Sequence, residues 1–177
     1  MNLLLSISIL AYFHKAWTVP FGIFAFVTFW AGYLIEVIGV TTGAVFGPYH
    51  YETALGFKIA GVPPLIGINW LMLVYISNII SQKVVKNIWI RATLGAILVL
   101  LLDLVIEPMA IQYDFWLWDT EQGIIPTQNY IAWGLIAWLM SFGFHSIDQE
   151  KENSIAPALY VIQLLFFTQF LVIDSTV

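Results

Sequence analysis

Between Ile88 and Pro108 the chain reads IWIRATLGAILVLLLDLVIEP. An apolar run of about 20 residues is long enough to cross the hydrocarbon core of a bilayer as an α-helix. Two carboxylates, Asp103 and Glu107, sit inside this run, and its basic residue, Arg91, lies at the opposite end. A third acid, Glu36, ends another apolar run. A charge at the bilayer centre costs roughly 2.5–3.5 kcal/mol on insertion scales. Packing alone gives no reason to place three there. A buried carboxyl with no cation beside it keeps its proton. A protonated acid in an apolar, aromatic-lined site is the group needed to protonate a hydrocarbon.

The rest of the chain agrees with a membrane setting. Of its 177 residues, 60% are hydrophobic and 10% charged, whereas a soluble domain carries about 25% charged residues. Mean hydropathy is +0.88. Further apolar runs cover Val19–Ile38, Pro63–Ile80, Tyr130–His145 and Ile155–Ile173. The short Tyr130–His145 run begins within Pro126–Asn129. Met1–Phe13 is apolar but short, and it lacks the positively charged start of a signal peptide, so it reads as a short or partial first helix. The expected fold is an all-α, polytopic transmembrane bundle of five or six spans, with residues 1–177 forming one integral membrane domain.

With six segments, Lys15, Lys83, Lys86, Arg91 and Lys151 fall on one side and only Lys58 on the other. The positive-inside rule puts the first group in the cytoplasm and both termini outside. The expected location is the cytoplasmic membrane of a bacterium. The chain has no cysteine, which excludes disulfides, iron–sulfur clusters and thiolate metal sites. It has no basic tract for nucleic acid.

The polar residues of the spans converge. Glu36, Asp103 and Glu107 lie near the ends of their segments, Asn69 in the first turns of the third, and Asn129 at the start of the fifth. Alternation of the spans puts all five in one half of the bilayer. Asp103 and Glu107, four residues apart, share a helix face about 6 Å apart. Pro108 marks a helix end or a bend. The bland alternative is that these acids cap helix ends or face interfacial water. For Glu36 the unfavourable dipole of a helix C-terminus argues against that alternative.

The same membrane face carries the two long loops. Gly39–Val62 is rich in glycine and aromatics and poor in charge, so it is expected to fold back as a cover buried in protein. Its Tyr49 and Tyr51 are candidate relay or orienting groups, and packing is the alternative. Pro108–Gln128 carries Trp116 and Trp118, either an interfacial belt or the wall of an apolar substrate site whose ring faces steady a carbocation. Asn69 and Asn129 hold either a water molecule or interhelix hydrogen bonds. His14, His50 and His145 are scattered, unlike the histidine boxes of di-iron oxygenases. Magnesium chelation by Asp103 and Glu107 lacks the cationic partners that diphosphate chemistry needs.

Glu36-x-x-Gly39, Thr42-Gly43, Phe46-Gly47-x-Tyr49-x-Tyr51, Leu55-Gly56, Val62-Pro63 and Trp70 stand in order with Asp103-x-x-x-Glu107-Pro108-x-Ala110, Trp116-x-Trp118 and Pro126-x-x-Asn129-Tyr130. On this ordered set the chain resembles the membrane carotenoid-biosynthesis family that contains the carotenoid 1′,2′-hydratases acting on γ-carotene and bisanhydrobacterioruberin. The resemblance covers about Glu36 to Trp133, and the N-terminal part departs from the family pattern. It implies addition of water to the terminal double bond of an acyclic carotenoid end group, with no metal or redox cofactor. The implied partners are a carotenoid such as lycopene, γ-carotene or a related acyclic-end pigment, and membrane lipid. On that reading Asp103 or Glu107 donates the proton. Glu36, with Asn69 or Asn129, positions or deprotonates the water, and Tyr49, Tyr51, Trp70, Trp116 and Trp118 line the site. A lycopene-type cyclase uses the same first step and lets an alkene capture the cation. A proton-coupled transporter or pigment-binding scaffold is the non-catalytic alternative.

Overall fold

The computed structural model describes residues 3–15, 17–147 and 151–174, with side chains as far as 170. The described residues form six α-helices: α1 (Leu3–Phe13), α2 (Val19–Thr42), α3 (Leu65–Val84), α4 (Ile88–Gln112), α5 (Thr127–Ser146) and α6 (Ala156–Asp174). Among them α2, α3 and α4 are each long and apolar enough to cross a membrane. α1, with 11 residues, rises about 16 Å, roughly half a hydrocarbon core.

The helix limits follow local chemistry. Thr18 caps α2 by accepting from the Phe21 amide, and Asn87 caps α4 by accepting from the amides of Trp89 and Ile90. Both satisfy N–H groups that a helix start leaves open. Gly43 ends α2 in the left-handed conformation (φ 65°), its amide donating to the Gly39 carbonyl at 2.8 Å. An L side chain is disfavoured there.

Three helices run past the ends expected from the sequence, α3 reaching Val84 instead of Ile80. α2 continues past Ile38 to Thr42, so Glu36 sits more than a turn inside the helix and the argument from the C-terminal dipole does not apply to it. α4 passes through Pro108 and ends at Gln112. Pro108 removes one backbone donor, but the turn beyond it is held by the Tyr113 and Phe115 amides donating to the carbonyls of Met109 and Ala110.

α3 is the most buried of the three long helices, packed by α2, α4, α5 and α6. Close approach depends on small residues, as in other membrane bundles. A Cβ on Gly32 of α2 would lie 2.6 Å from Trp70 of α3. Trp70 is fully buried and stacks on Trp133 of α5 with centroids 3.8 Å apart. The outer surface is apolar as well. Ile23, Phe26, Val27, Trp30, Leu34 and Ile38 run exposed along α2, a patch that lipid satisfies and water would not.

The two long loops meet in a small sheet. β1 (Tyr49–Tyr51) pairs antiparallel with β2 (Trp116–Trp118), with Tyr49 opposite Trp118 and Tyr51 opposite Trp116. Pairing extends past both ends, the Asp119 amide donating to Pro48 and the Glu52 amide to Phe115. At the other end of the bundle Lys83, Lys86, Arg91 and Lys151 line one depression.

Candidate functional site

The sheet is a lid, and its period of two aims the lid's polar atoms. Alternate strand residues face one side, so Tyr49, Tyr51, Trp116 and Trp118 all turn toward the bundle while His50 and Leu117 turn away. Each pair serves one acid. The Tyr49 and Tyr51 hydroxyls donate to Glu36 Oε2 at 2.5 and 2.8 Å, and Trp70 Nε1 donates to Glu36 Oε1 at 2.9 Å. The Trp116 and Trp118 indoles donate to Glu107 Oε2 at 3.1 and 3.2 Å, and Asn129 Nδ2 donates to Glu107 Oε1 at 3.3 Å. Burial, and then the neighbouring Glu36 carboxyl, push both tyrosine hydroxyls above their usual range, so they remain neutral donors.

Between the two glutamates is a cavity of about 20 Å³. On this measure roughly 10–15 Å³ admits one water molecule. Its walls include Asn69, Asn129, Phe46 and Trp133 beside the two acids and the four lid aromatics. A second, apolar cavity of about 200 Å³ adjoins it, sharing Ile66, Asn69 and Trp116. An apolar cavity of about 150 Å³ takes up a benzene molecule, so this one has room for a branched hydrocarbon end.

The lid is fixed by close contacts. A Cβ on Gly39 would fall 2.6 Å from the Phe46 ring and 3.1 Å from the Tyr49 hydroxyl. Gln128 Nε2 donates to the Ala44 and Val45 carbonyls, and Lys58 Nζ donates to the Tyr51 carbonyl at 2.7 Å. On the outer side His50 lies 2.9 Å from Asp119 and 3.1 Å from Glu52. The hydrogen bond His50 donates to Asp119, partly opposed by burial and aided by Glu52, raises the His50 imidazole above its usual range.

Of the residues singled out from the sequence, Glu36, Tyr49, Tyr51, Asn69, Glu107, Trp116, Trp118 and Asn129 line the small cavity. Trp70 reaches it through Glu36. Asp103 is buried one turn before Glu107, lines neither cavity, and its Oδ2 has no hydrogen-bond partner among the described residues. Two residues escaped the sequence reading. Trp133 stands one turn after Asn129 on the same face of α5, a spacing that could have found it. Gln163 of α6, in the wall of the apolar cavity, had no motif to mark it. Among the described residues no three His, Asp or Glu side chains form a metal-ligand set.

The class of site is a helical membrane bundle with two buried glutamates around one small cavity under an aromatic lid. The chain belongs to the family described as carotenoid biosynthesis protein, whose model matches residues 1–177. It is similar to the bisanhydrobacterioruberin hydratase of Haloarcula japonica, with 31% identity over 140 residues, 71% of this chain and 46% of that protein. The chain thus spans about half the length of that relative. No solved structure matches it.

Proposed function

We propose that this protein is a carotenoid hydratase, adding water across the terminal trisubstituted double bond of an acyclic carotenoid end group. The observation that carries the reading is the pairing of cavities: a space for one water between two glutamates, adjoining an apolar space large enough for a hydrocarbon end.

The donors divide the two glutamates: two phenols and one indole converge on Glu36, and two indoles and one amide on Glu107. In this reading Glu107, bonded to the Trp116 that borders both cavities, is the carboxylic acid, and Glu36 is the base. With its carbonyl oxygen occupied by both indoles, the Glu107 hydroxyl is free to give its proton to the less substituted alkene carbon. A C–H bond forms, the π bond breaks, and a tertiary cation is left on the carbon bearing the two methyls. The Trp116 and Trp118 rings face that charge and stabilise it. The water between Asn69, Asn129 and Glu36 attacks, forming the C–O bond, and its surplus proton passes to Glu36. Proton return from Glu36 to Glu107 resets the site. Asp103 lines neither cavity, so of the two acids expected to donate, Glu107 takes that role in this reading. The steps are general acid and base catalysis, worth roughly 10²–10⁴-fold for each correctly placed group.

The test is to express the chain in a host that makes lycopene or γ-carotene and to resolve the pigments by liquid chromatography and mass spectrometry. A more polar pigment heavier by one water supports hydration. A new pigment of unchanged mass would make the protein a cyclase. Unaltered pigments beside folded protein would point to a different carotenoid or to a transporter or scaffold.

A further inference from the structure

Four of the chain's six basic residues converge at the end of the bundle away from the lid, in a protein whose net charge is -5. Lys83, Lys86, Arg91 and Lys151 line a depression of about 440 Å³, and Glu152 is the one acid in its walls among the described residues. Helix ends account for two of the four cations. Arg91 Nε donates to the Val85 carbonyl at 2.5 Å and its Nη2 to the Gln82 carbonyl at 3.1 Å, closing the end of α3. Lys151 is buried, and its Nζ donates to the Phe144 and Ile147 carbonyls at 2.7 and 3.0 Å, closing the end of α5. A cation suits the negative end of a helix. Gln82 Nε2 donates to the Lys151 carbonyl, which ties these two ends together. Lys83 and Lys86 have no such duty. Both are exposed, and neither makes a hydrogen bond or ion pair among the described residues. Glu152 pairs instead with Lys15, at 3.4 Å. Like charges gathered on a fixed backing repel one another, and an anion between them relieves that cost.

The rim identifies the anion. Trp89 and Ile90, between Lys86 and Arg91 in the chain, are 57% and 55% exposed, and Trp89 stacks on Trp138 of α5 with centroids 5.9 Å apart. Exposed indoles at the ends of apolar helices mark the membrane interface, so the depression opens where lipid head groups meet acyl chains. We propose that it seats the phosphate of an anionic phospholipid such as phosphatidylglycerol. Lys83 and Lys86 contact the phosphate, Arg91 and Lys151 add positive field from behind, and the acyl chains lie along Trp89 and Ile90. Basic hollows between membrane helices on the cytoplasmic side recognise such head groups. The lipid site is independent of the reaction at the lid end.

The experiment offers the full chain, purified in detergent, equal amounts of phosphatidylglycerol and phosphatidylcholine with the same acyl chains, and reads the retained lipid by native mass spectrometry. Phosphatidylcholine carries the same phosphate with its charge cancelled by choline. The wild-type chain is expected to retain phosphatidylglycerol over phosphatidylcholine by roughly tenfold or more, the effect of two lysines at a membrane surface. The double variant Lys83→Gln/Lys86→Gln is expected to bring the two lipids within about twofold of each other, and Lys83→Arg/Lys86→Arg to restore the preference. Lys58→Gln, which removes a charge at the lid end, should leave the preference unchanged. Inorganic phosphate at the concentration of the lipid should not displace it, because it lacks the acyl chains. Equal retention of the two lipids by the wild type overturns the proposal. So does a loss of preference in Lys58→Gln equal to that in Lys83→Gln alone, the result expected of a response to net charge. Displacement by inorganic phosphate would make the ligand a soluble anion and overturns the assignment to lipid.

Discussion

Two polar clusters are buried in this bundle, and they are built on opposite principles. Toward the basic end, Asn78 of α3 donates to the Val74 carbonyl at 2.7 Å and to Ser141 of α5 at 2.8 Å, and Ser81 meets His145 at 3.0 Å. Asn78, Ser81 and Ser141 are fully buried, and a Cβ on Gly95 would fall 2.2 Å from Asn78 Oδ1. These groups are closely packed and mutually hydrogen-bonded. At the lid end, two carboxyls face a space that the protein does not fill, and a third beside them has an oxygen left without a donor. Helix association explains the first cluster completely, since interhelix hydrogen bonds join helices that no hydrophobic force separates from lipid. It does not explain the second, where charge, cavity and missing donors all add cost. Buried polar groups packed against one another belong to architecture, whereas carboxyls gathered around open space with no cation beside them point to chemistry.

The comparison can be broken at either cluster. The largest expected effect is on turnover. Glu107→Gln keeps the shape and removes the transferable proton, and should lower turnover by roughly 10²–10⁴-fold at unchanged thermal stability of the purified protein. Glu36→Gln should fall in the same range, because Glu107, the other acid among the described residues on the small cavity, serves as the proton donor. Full activity in both variants, assayed on pigment in isolated membranes, would end the catalytic account.

Trp118→Phe keeps the lid ring and deletes one of the two indole donors to Glu107. Glu107 becomes a carboxylate as it gives up its proton, and a hydrogen bond to a charged group is worth about 1.5–3 kcal/mol, so turnover should drop roughly tenfold or somewhat more, with the same product. A larger loss for this variant than for Glu107→Gln would mean the indole matters for packing the lid. Gly95→Ala, at the other cluster, should do the reverse. Overpacking costs about 1–3 kcal/mol, visible as a lower unfolding temperature, while activity per folded molecule holds.

The smallest effect is the pH response of the lid. The His50 contact with Asp119 and Glu52 raises the imidazole in the folded state. A raised group contributes stability in full below its unfolded value of about 6.5, and the contribution is lost as pH rises through the folded value. The lid amides of Tyr49–Tyr51 should therefore exchange hydrogen faster above that range, once intrinsic exchange is corrected for. His50→Gln should flatten the profile.

Most of the bundle was legible in the sequence because membrane helices announce themselves by length and hydropathy. Two of the limits that shifted, Thr42 and Gln112, are where a capping glycine and hydrogen bonds beyond a proline carried the helix further than apolarity alone. The convergence of Glu36, Asn69, Glu107 and Asn129 followed from alternation of the spans. The lid did not emerge as a sheet, although Tyr49-His50-Tyr51 and Trp116-Leu117-Trp118 each show a period of two. Strands of three residues are too short to separate from loop by pattern, and their pairing joins segments far apart in the chain. Gln163 was invisible for a different reason: on a helix it is one polar residue among apolar ones, and only the structure places it in a cavity wall.

The central claim is that the lid-end cluster delivers a proton to carbon and water to the resulting cation. The most direct measurement is turnover of the carotenoid by isolated membranes in water enriched in deuterium and oxygen-18, with mass spectrometry of the product. The account predicts a tertiary alcohol carrying one carbon-bound deuterium and one oxygen-18 for each end converted, absent with Glu107→Gln and present with Gly95→Ala. A product with deuterium on carbon and no oxygen-18 would contradict hydration and support cyclisation. A product whose oxygen is unlabelled would contradict both.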